Sequence, residues 1–467
     1  MPEKYHIKSS QVQSRLPQIG KYGIVDWRED CARCHNCVKK ACIYDRYREE
    51  SAYIRNLDSV HALYFECMGC FSCVQNCTKN LLTMSVNSEY LSLGNEYWVP
   101  SIFRTTWLEA ETGKVPVSGA GYRGKFSGHG FDSMWTDMSE IVRPTRDGIH
   151  GREYISTSVD IGRKPSYLNF NDSKLNTKLS SLISLPFPVI FDMPSKDHML
   201  PFLTSYILET AKQTGLLAII DSKDWKDLKV ENKESYLNNI IFFLNSDGPE
   251  IDKETLGKTR LVEIPDGSNV EEKINALKSA HPDLIVSVRV ELNADGPNRV
   301  DILSKINNIE VIHVVADKNG NEIGVENPRF VKEIIREIHG NLIKNEKRDL
   351  ITLIAGGGIG LSEHVAKAII CGTDLVSIDI PLMIAVECKL CGNCKPGDIC
   401  PALLDKPLDS KYAVGRMVNL MSSWHLQMVE LMGAMGMREA RRLRGDVGRA
   451  MFNDELEKEI YGPIFAK

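Results

Sequence analysis

The residues in this sequence whose spacing could do chemistry are its cysteines. Twelve of the thirteen fall in three tight groups. The first, CARCHNCVKKAC, holds Cys31, Cys34, Cys37 and Cys42; the second, CMGCFSCVQNC, holds Cys67, Cys70, Cys73 and Cys77. The third, CKLCGNCKPGDICP, holds Cys388, Cys391, Cys394 and Cys400. Disulfides need Cα atoms about 4.4–6.8 Å apart with matching side-chain directions, and C-x-x-C-x-x-C triplets are poor material for that. Such a triplet instead wraps three thiolates around an iron–sulfur cube, and a more distant cysteine supplies the fourth ligand. With the motif present twice near the N-terminus, two [4Fe–4S] clusters are expected there, each fourth cysteine crossing to the other group's cluster. One set is then Cys31, Cys34, Cys37 and Cys77; the other is Cys67, Cys70, Cys73 and Cys42. The competing reading is a pair of zinc sites, which favour separated cysteine pairs over triplets. Cys371 stands alone in an apolar stretch and reads as core.

The first two stretches resemble bacterial-type two-cluster ferredoxins. Two details depart: four residues, not three, precede the last cysteine of the first group, and the usual following proline is Ile43 in one group and Thr78 in the other. Thiolate clusters and the absence of an apolar h-region in MPEKYHIKSS lead to the expectation of a reducing cytoplasm. A formal net charge of −5 gives no basic field for nucleic acid or anionic lipid. No apolar run approaches the roughly 20 residues of a membrane span.

Elements must bring these groups together. From residue 185 short β-branched runs alternate with amphipathic stretches: PVIFDM, LLAIID, NIIFFLN, RLVEIPD, DLIVSVRV, VIHVVAD, LITLIAGGG and LVSIDIP. Continuous apolar runs are what parallel strands buried on both faces require. Eight strands with intervening helices predict an α/β fold, a (β/α)8 TIM-like barrel carrying an N-terminal ferredoxin-like two-[4Fe–4S] domain. A doubly wound open sheet is the alternative. The expected organisation is a ferredoxin-like domain over 1–85, an irregular wrap over 86–184, the barrel over 185–409 and a helical extension over 410–467. The wrap's Tyr122, Phe126, Phe131 and Trp135 argue for order. LSEHVAKAIICG is expected to start at a Ser362 N-cap with Glu363 in its first turn. AVGRMVNLMSSWHLQMVELMGAMG has helical period and should pack outside the barrel.

Active sites of such barrels lie at the C-terminal ends of the strands, with phosphate commonly bound beside strands seven and eight. The loop after strand seven is AGGGIG, so Gly356, Gly357, Gly358 and Gly360 are candidate phosphate-binding residues, their N–H groups backed by the next helix N-terminus. A tight turn is the alternative. Cys388 follows strand eight closely, so its loop should start on that same face. The four cysteines of C-x-x-C-x-x-C-x5-C-P could hold a third cluster beside the barrel mouth, with a zinc knuckle as the competing reading.

AGGGIG, the helix after it, GTDLVSIDI and the cysteine cluster ending in CP resemble the FMN-binding domain of glutamate synthases. WTDMSEIVRPTRDGIHGREYISTSVDIGRK and GMREARRLRGDVGRAMF resemble the shorter members with a ferredoxin module in front. The resemblance implies FMN in the mouth and a cluster beside it, [3Fe–4S] in the family; the four cysteines here permit [4Fe–4S]. It also aligns Arg289 of VSVRVE with the family's mid-barrel lysine near flavin and substrate. DMPSKDH, IIDSKDW and Asp379-Ile380-Pro381 replace the small residues expected after strands one, two and eight. Two functions follow. One is an iron–sulfur flavoprotein passing electrons through the clusters to FMN and an imine such as 2-iminoglutarate, within a complex of redox subunits or with ferredoxin. The other is a flavin-free electron-transfer and scaffold subunit. Histidines 129, 150, 281, 313 and 425 show no metal-ligand spacing. Arg143, Arg146 and Arg152 read as salt-bridge partners, and REARRLRGDVGR as a solvated helix face or docking surface.

Overall fold

The computed structural model describes residues 5–17, 19–25, 43, 69–81, 83–115, 128–136, 154–164, 168–175, 181–194, 202–228, 230, 232–245, 251–392, 394, 399–453, 455–456 and 458–460. Cys31, Cys34, Cys37, Cys42 and Cys67 lie outside these residues, as do Tyr122, Phe126, Arg143, Arg146 and Arg152. The expected pairing of the two N-terminal cysteine groups therefore falls outside the described residues.

Eight parallel strands close into a barrel: Val189–Phe191, Ala218–Asp221, Ile240–Phe243, Leu261–Pro265, Ile285–Glu291, Val311–Val315, Thr352–Gly356 and Leu375–Ile378. They are strands one to eight below. Each pairs with its sequence neighbour, and strand eight closes on strand one through Val376–Val189, Ser377–Ile190 and Ile378–Phe191. Closure excludes the open doubly wound sheet. Strand seven, TLIAG, is buried at every residue, as a strand covered on both faces must be. The helix Leu203–Thr214 ends where Gly215 takes a left-handed φ of 68°, a conformation that costs glycine nothing.

The helix after strand seven is Ser362–Cys371. Its N-cap is Leu361 rather than Ser362: the extended backbone of Leu361 makes the turn, and the Ser362 hydroxyl donates instead to the Trp424 carbonyl at 2.7 Å. Glu363 does lie in the first turn, and Cys371 is fully buried core. The tail helix Ser410–Ala434 packs outside the barrel, against Leu203–Thr214 and Ser362–Cys371.

The region expected to be an irregular wrap contains a 13-residue helix, Pro100–Thr112. Proline at its first position has the φ a helix start needs and no N–H to satisfy, and Gly113 ends it at φ 65°. It is buried on most sides, by Ile102, Phe103, Thr105, Thr106, Trp107, Glu109 and Ala110, between the tail helix and the short helix Ile380–Ala385. Further along the wrap, Phe131 is fully buried and Trp135 is exposed, and Met134–Thr136 pairs antiparallel with Ala450–Phe452 of the tail. The basic run near the C-terminus is not one helix face. It forms two short 3-10 turns, Ala440–Leu443 and Val447–Arg449. Arg441 there pairs with Asp160 at 2.8 Å, and Arg444 with Asp349 at 2.6 Å and Asp374 at 3.1 Å.

Residues 5–17 run as an extended arm along this outer layer. Asn419 of the tail helix bonds Ser10 in both directions, and the Val12 N–H donates to the Glu111 carbonyl at 2.9 Å. Strand Tyr22–Val25 pairs antiparallel with Thr83–Val86, so the chain enters and leaves the N-terminal cysteine region side by side. Among the described residues no helix is long and apolar enough to cross a membrane.

The wrap helix yields a direct test. Phe103 is fully buried, so Phe103→Ala should cost about 3–5 kcal/mol in chemical denaturation. A cost below about 1 kcal/mol would mean that the helix is not packed as described.

Candidate active site

Along strands four, five, six and eight, one polar residue after another interrupts an apolar run, and register brings them together. Glu263 on strand four lies beside Ser287 on strand five, Arg289 on strand five lies beside His313 on strand six, and Ser377 lies beside Gly356. They form a continuous chain of hydrogen bonds. Arg289 Nη2 donates to Asp192, just past strand one, at 2.5 Å, and Arg289 Nε donates to Glu263 Oε1 at 2.6 Å. Glu263 Oε2 meets His313 Nδ1 at 2.9 Å and accepts from the Ser287 hydroxyl at 3.2 Å. His313 Nε2 meets Ser377 Oγ at 2.8 Å.

Burial grades along this chain. Glu263 and His313 are sealed off, at 1% and 0% exposure, whereas Arg289 keeps 22% and faces the mouth. Desolvation alone would push the Glu263 carboxyl up strongly, but His313 and Arg289 beside it outweigh that and hold it at about 2. Arg289 stays charged, its own burial offset by Asp192 and Glu263. Its guanidinium also lies over the Phe243 ring, 5.1 Å from the centroid. The structure thus places Arg289 at the mouth, fixed on two sides. Its third nitrogen, Nη1, has no partner among the described residues.

Asp379 caps the short helix Ile380–Ala385, accepting from the Ile380 N–H at 2.6 Å. Burial raises its carboxyl from 3.8 to about 6, and the charge of Asp192 adds to that rise. An acid able to carry a proton near neutral pH therefore stands beside Asp192 at the rim. Spacing could not single out His313, Glu263 or Ser377; Asp379 was marked only as a departure from the small residue expected after strand eight. The available signal was a lone polar residue at an inward position of a buried strand.

The glycines after strand seven are spent largely on chain packing. A Cβ on Gly356 would fall 2.3 Å from Ser377 Oγ, one on Gly357 2.6 Å from the Asp317 carbonyl oxygen, and one on Gly358 2.8 Å from the Gly320 Cα. Gly357 and Gly358 have φ of 96° and 70°, which a side chain would strain. Gly360 lies under Trp98 of the wrap, whose indole N–H donates to the Lys318 carbonyl at 2.9 Å. Tyr97 donates its hydroxyl proton to the Gly358 carbonyl.

A flavin mononucleotide would need a donor or cation at the electron-rich edge of its ring and open backbone N–H groups at its phosphate. Arg289 meets the first need. At the second, the carbonyl oxygens of Asp317 and Asn319 crowd the glycine loop, 2.6 Å and 3.1 Å from where side chains would begin. Arg289 is therefore the residue that fits the group, at its ring end.

Strand eight leads through Asp379 and the helix Ile380–Ala385 to Cys388, so the third cysteine loop starts on the C-terminal face. Cys388 is buried, Cys391 and Cys394 are exposed, and Cys400 is half-buried. Cys391, Cys394 and Cys400 each act electrostatically on the Cys388 thiol, so the four sulfurs share one neighbourhood. Among the described residues no three of these sulfurs lie within 4.8 Å of one another. Of the N-terminal cysteines, Cys70 is exposed, Cys73 is buried, and Cys77 accepts from the Leu81 N–H at 3.3 Å. The chain just beyond reaches the third loop, where the Gly94 N–H donates to the Lys389 carbonyl at 3.2 Å and Leu390 packs against the core of Tyr90, Leu93 and Trp98.

One further cluster, Asp132, Glu363 and His364, has ligand atoms within 4.8 Å of one another. His364 Nδ1 accepts from the Gly360 N–H at 3.1 Å, which leaves the ring proton on Nε2, facing Asp132. Glu363 is paired with Lys367 at 3.3 Å. That is a satisfied structural network, and a metal would have to displace the proton.

Fold and site together define a (β/α)8 barrel protein with an ion-paired mouth and a cysteine loop on the same face. Residues 253–438 match the profile of the conserved region in glutamate synthase. The chain is 23% identical to the archaeal-type glutamate synthase [NADPH] of Dehalococcoides mccartyi, covering 91% of this chain and 93% of that protein. It is 22% identical to the archaeal glutamate synthase [NADPH] of Archaeoglobus fulgidus, covering 94% and 96%. A solved mandelate oxidase structure overlays with a TM-score of 0.39 at 13% identity, covering 67% of this chain and 97% of that one. Residues 253–438 thus carry the conserved region of glutamate synthase, and the chain is similar over nearly its whole length to archaeal-type glutamate synthases.

The raised carboxyl at Asp379 gives a pH-dependent prediction. A group raised from 3.8 to about 6 is protonated in both folded and unfolded states only below about pH 3; stability is then lost as pH rises from about 4 to 6 and is level above that. Asparagine keeps the capping acceptor without the charge. Asp379→Asn should match the parent protein in urea denaturation at pH 3 and exceed it by about 3 kcal/mol at pH 8. Equal stability at both pH values would place the carboxyl in water.

Proposed function

We propose that this chain is an iron–sulfur oxidoreductase of the glutamate synthase type, working with other redox subunits or with ferredoxin. Cys31, Cys34, Cys37 and Cys77 would hold one N-terminal cluster and Cys67, Cys70, Cys73 and Cys42 the other, while Cys388, Cys391, Cys394 and Cys400 would hold a third; such clusters would supply one-electron transfer toward the barrel mouth. The observation that carries this reading is the short path from Asp379 to Cys388, which joins the mouth and the cysteine loop on one face.

The mouth is equipped to receive an anion and to give up a proton. Arg289 cannot swing away from its two carboxylates, so its open nitrogen is pre-aimed, and less ordering is needed when a ligand's acceptor binds there. FMN bound on that edge would supply two-electron hydride chemistry. For an imine acceptor such as 2-iminoglutarate, reduction to the amine also takes up a proton at nitrogen, and Asp379 is the rim acid able to carry one. Glu263, His313 and Ser377 do not face substrate; they hold the charge and orientation of Arg289 from below.

One observation favours a second reading. Carbonyl oxygens crowd Gly357 and Gly358, and Asp192 and Asp379 add negative charge where an anionic cofactor would lie. A flavin-free subunit carrying electrons between partner enzymes would be built this way.

Anaerobic reconstitution with iron, sulfide and FMN separates the readings. About twelve iron per chain and a flavin absorbance band that is lost in Arg289→Ala are expected. Full iron with no flavin leaves the electron-carrier reading. Neither iron nor sulfide would remove the redox function altogether.

A further inference from the structure

We propose that Arg15 is a positioning residue for the third cysteine group, a clasp across the neck of its loop. This rests on the reading that Cys388, Cys391, Cys394 and Cys400 hold an iron–sulfur cluster. Arg15 comes from the N-terminal arm, 372 positions from Glu387 in sequence. Its Nη2 donates to the Ala402 carbonyl at 3.0 Å, and its Nε lies 3.4 Å from Glu387 Oε2. Glu387 immediately precedes Cys388, and Ala402 stands two residues past Cys400. One side chain therefore spans both ends of the loop.

The carboxylate it grips is unusually well held. Glu387 is 4% exposed and accepts from the Arg15 N–H at 3.2 Å, the Leu16 N–H at 3.4 Å and the Tyr412 hydroxyl at 2.7 Å. Its backbone sits at φ 75°, a left-handed conformation that strains a residue with a side chain. Such a conformation persists where the surroundings fix it. Arg15 also lies over the Tyr412 ring, 5.0 Å from its centroid, and Arg416 of the same helix donates to the Ala385 carbonyl at 2.5 Å, steadying the turn that leads into Glu387.

The loop's own cysteines need this help unequally. Cys388 is buried while Cys391 and Cys394 are exposed, so Cys388 is the fixed ligand from which the others are placed. The clasp sets where that ligand begins and how far Cys400 stands from it. Groups that orient a metal's ligands in this way commonly govern how tightly the metal is kept. A guanidinium–carboxylate pair at the loop's neck also adds its field to the cluster's potential.

The test uses the full chain, reconstituted anaerobically, with Cys388→Ser as reference. The paramagnetic resonance signal lost in Cys388→Ser identifies the third cluster. In Arg15→Ala that signal should decay roughly tenfold faster under a chelator and shift in midpoint potential, while the remaining signals stay unchanged. Arg15→Lys keeps charge but not the fork and should fall between. Tyr412→Phe should move both readouts the same way by less, and decides the matter with Arg15→Lys if Arg15→Ala does not fold. Parent-like decay and potential in these variants would overturn the clasp while leaving the cluster in place. A Cys388→Ser protein that keeps all its iron would overturn the cluster reading itself.

Discussion

A carboxylate with almost no water around it has to be neutralised where it stands, and Glu263 imposes that demand on the whole interior of the barrel. An isolated ion in such surroundings costs several kcal/mol, more than most single packing contacts return. Two neighbours meet the demand, His313 from one side and Arg289 from another. Arg289 then brings its own requirement, which Asp192 satisfies at the rim. Ser377 completes the far end under Gly356, the one residue type that leaves room for its hydroxyl. The polarity of the mouth follows, link by link, from a single acid in the core.

Three described segments outside the barrel reach over the same end. The wrap contributes Tyr97 and Trp98 to the glycine loop, the arm contributes Arg15 to the cysteine loop, and the tail helix contributes Tyr412 and Arg416. These segments are distant in sequence, and each reaches the C-terminal face through a hydrogen bond to backbone or to a buried carboxylate. Loops on that face are consequently held from outside as well as by the strands they connect.

Much of this was legible beforehand. The eight strands stood out because parallel strands buried on both faces must be apolar throughout, and valine and isoleucine mark them. The tail helix was equally plain. The helix Pro100–Thr112 was not, because it is buried on most sides and mixes Thr105, Thr106 and Glu109 among its apolar residues, so no single stripe repeats. His313 was passed over for a different reason. Its partners lie 50 and 64 positions away, and only closure of the barrel makes them neighbours. The glycines were recognised as special, but their type alone does not say whether a ligand or another stretch of chain comes close to them. The basic run near the C-terminus looked like one helix face because glycines that break it into turns leave its charge pattern untouched.

Trp98 resting on Gly360 ties two distant parts of the chain together sterically. A methyl group at position 360 would meet the indole at 3.0 Å, tighter than ordinary van der Waals contact. Any side chain there would require the indole to give by a few tenths of an ångström, so the size of residue 360, in the seventh loop, sets how closely the wrap can lie on the barrel.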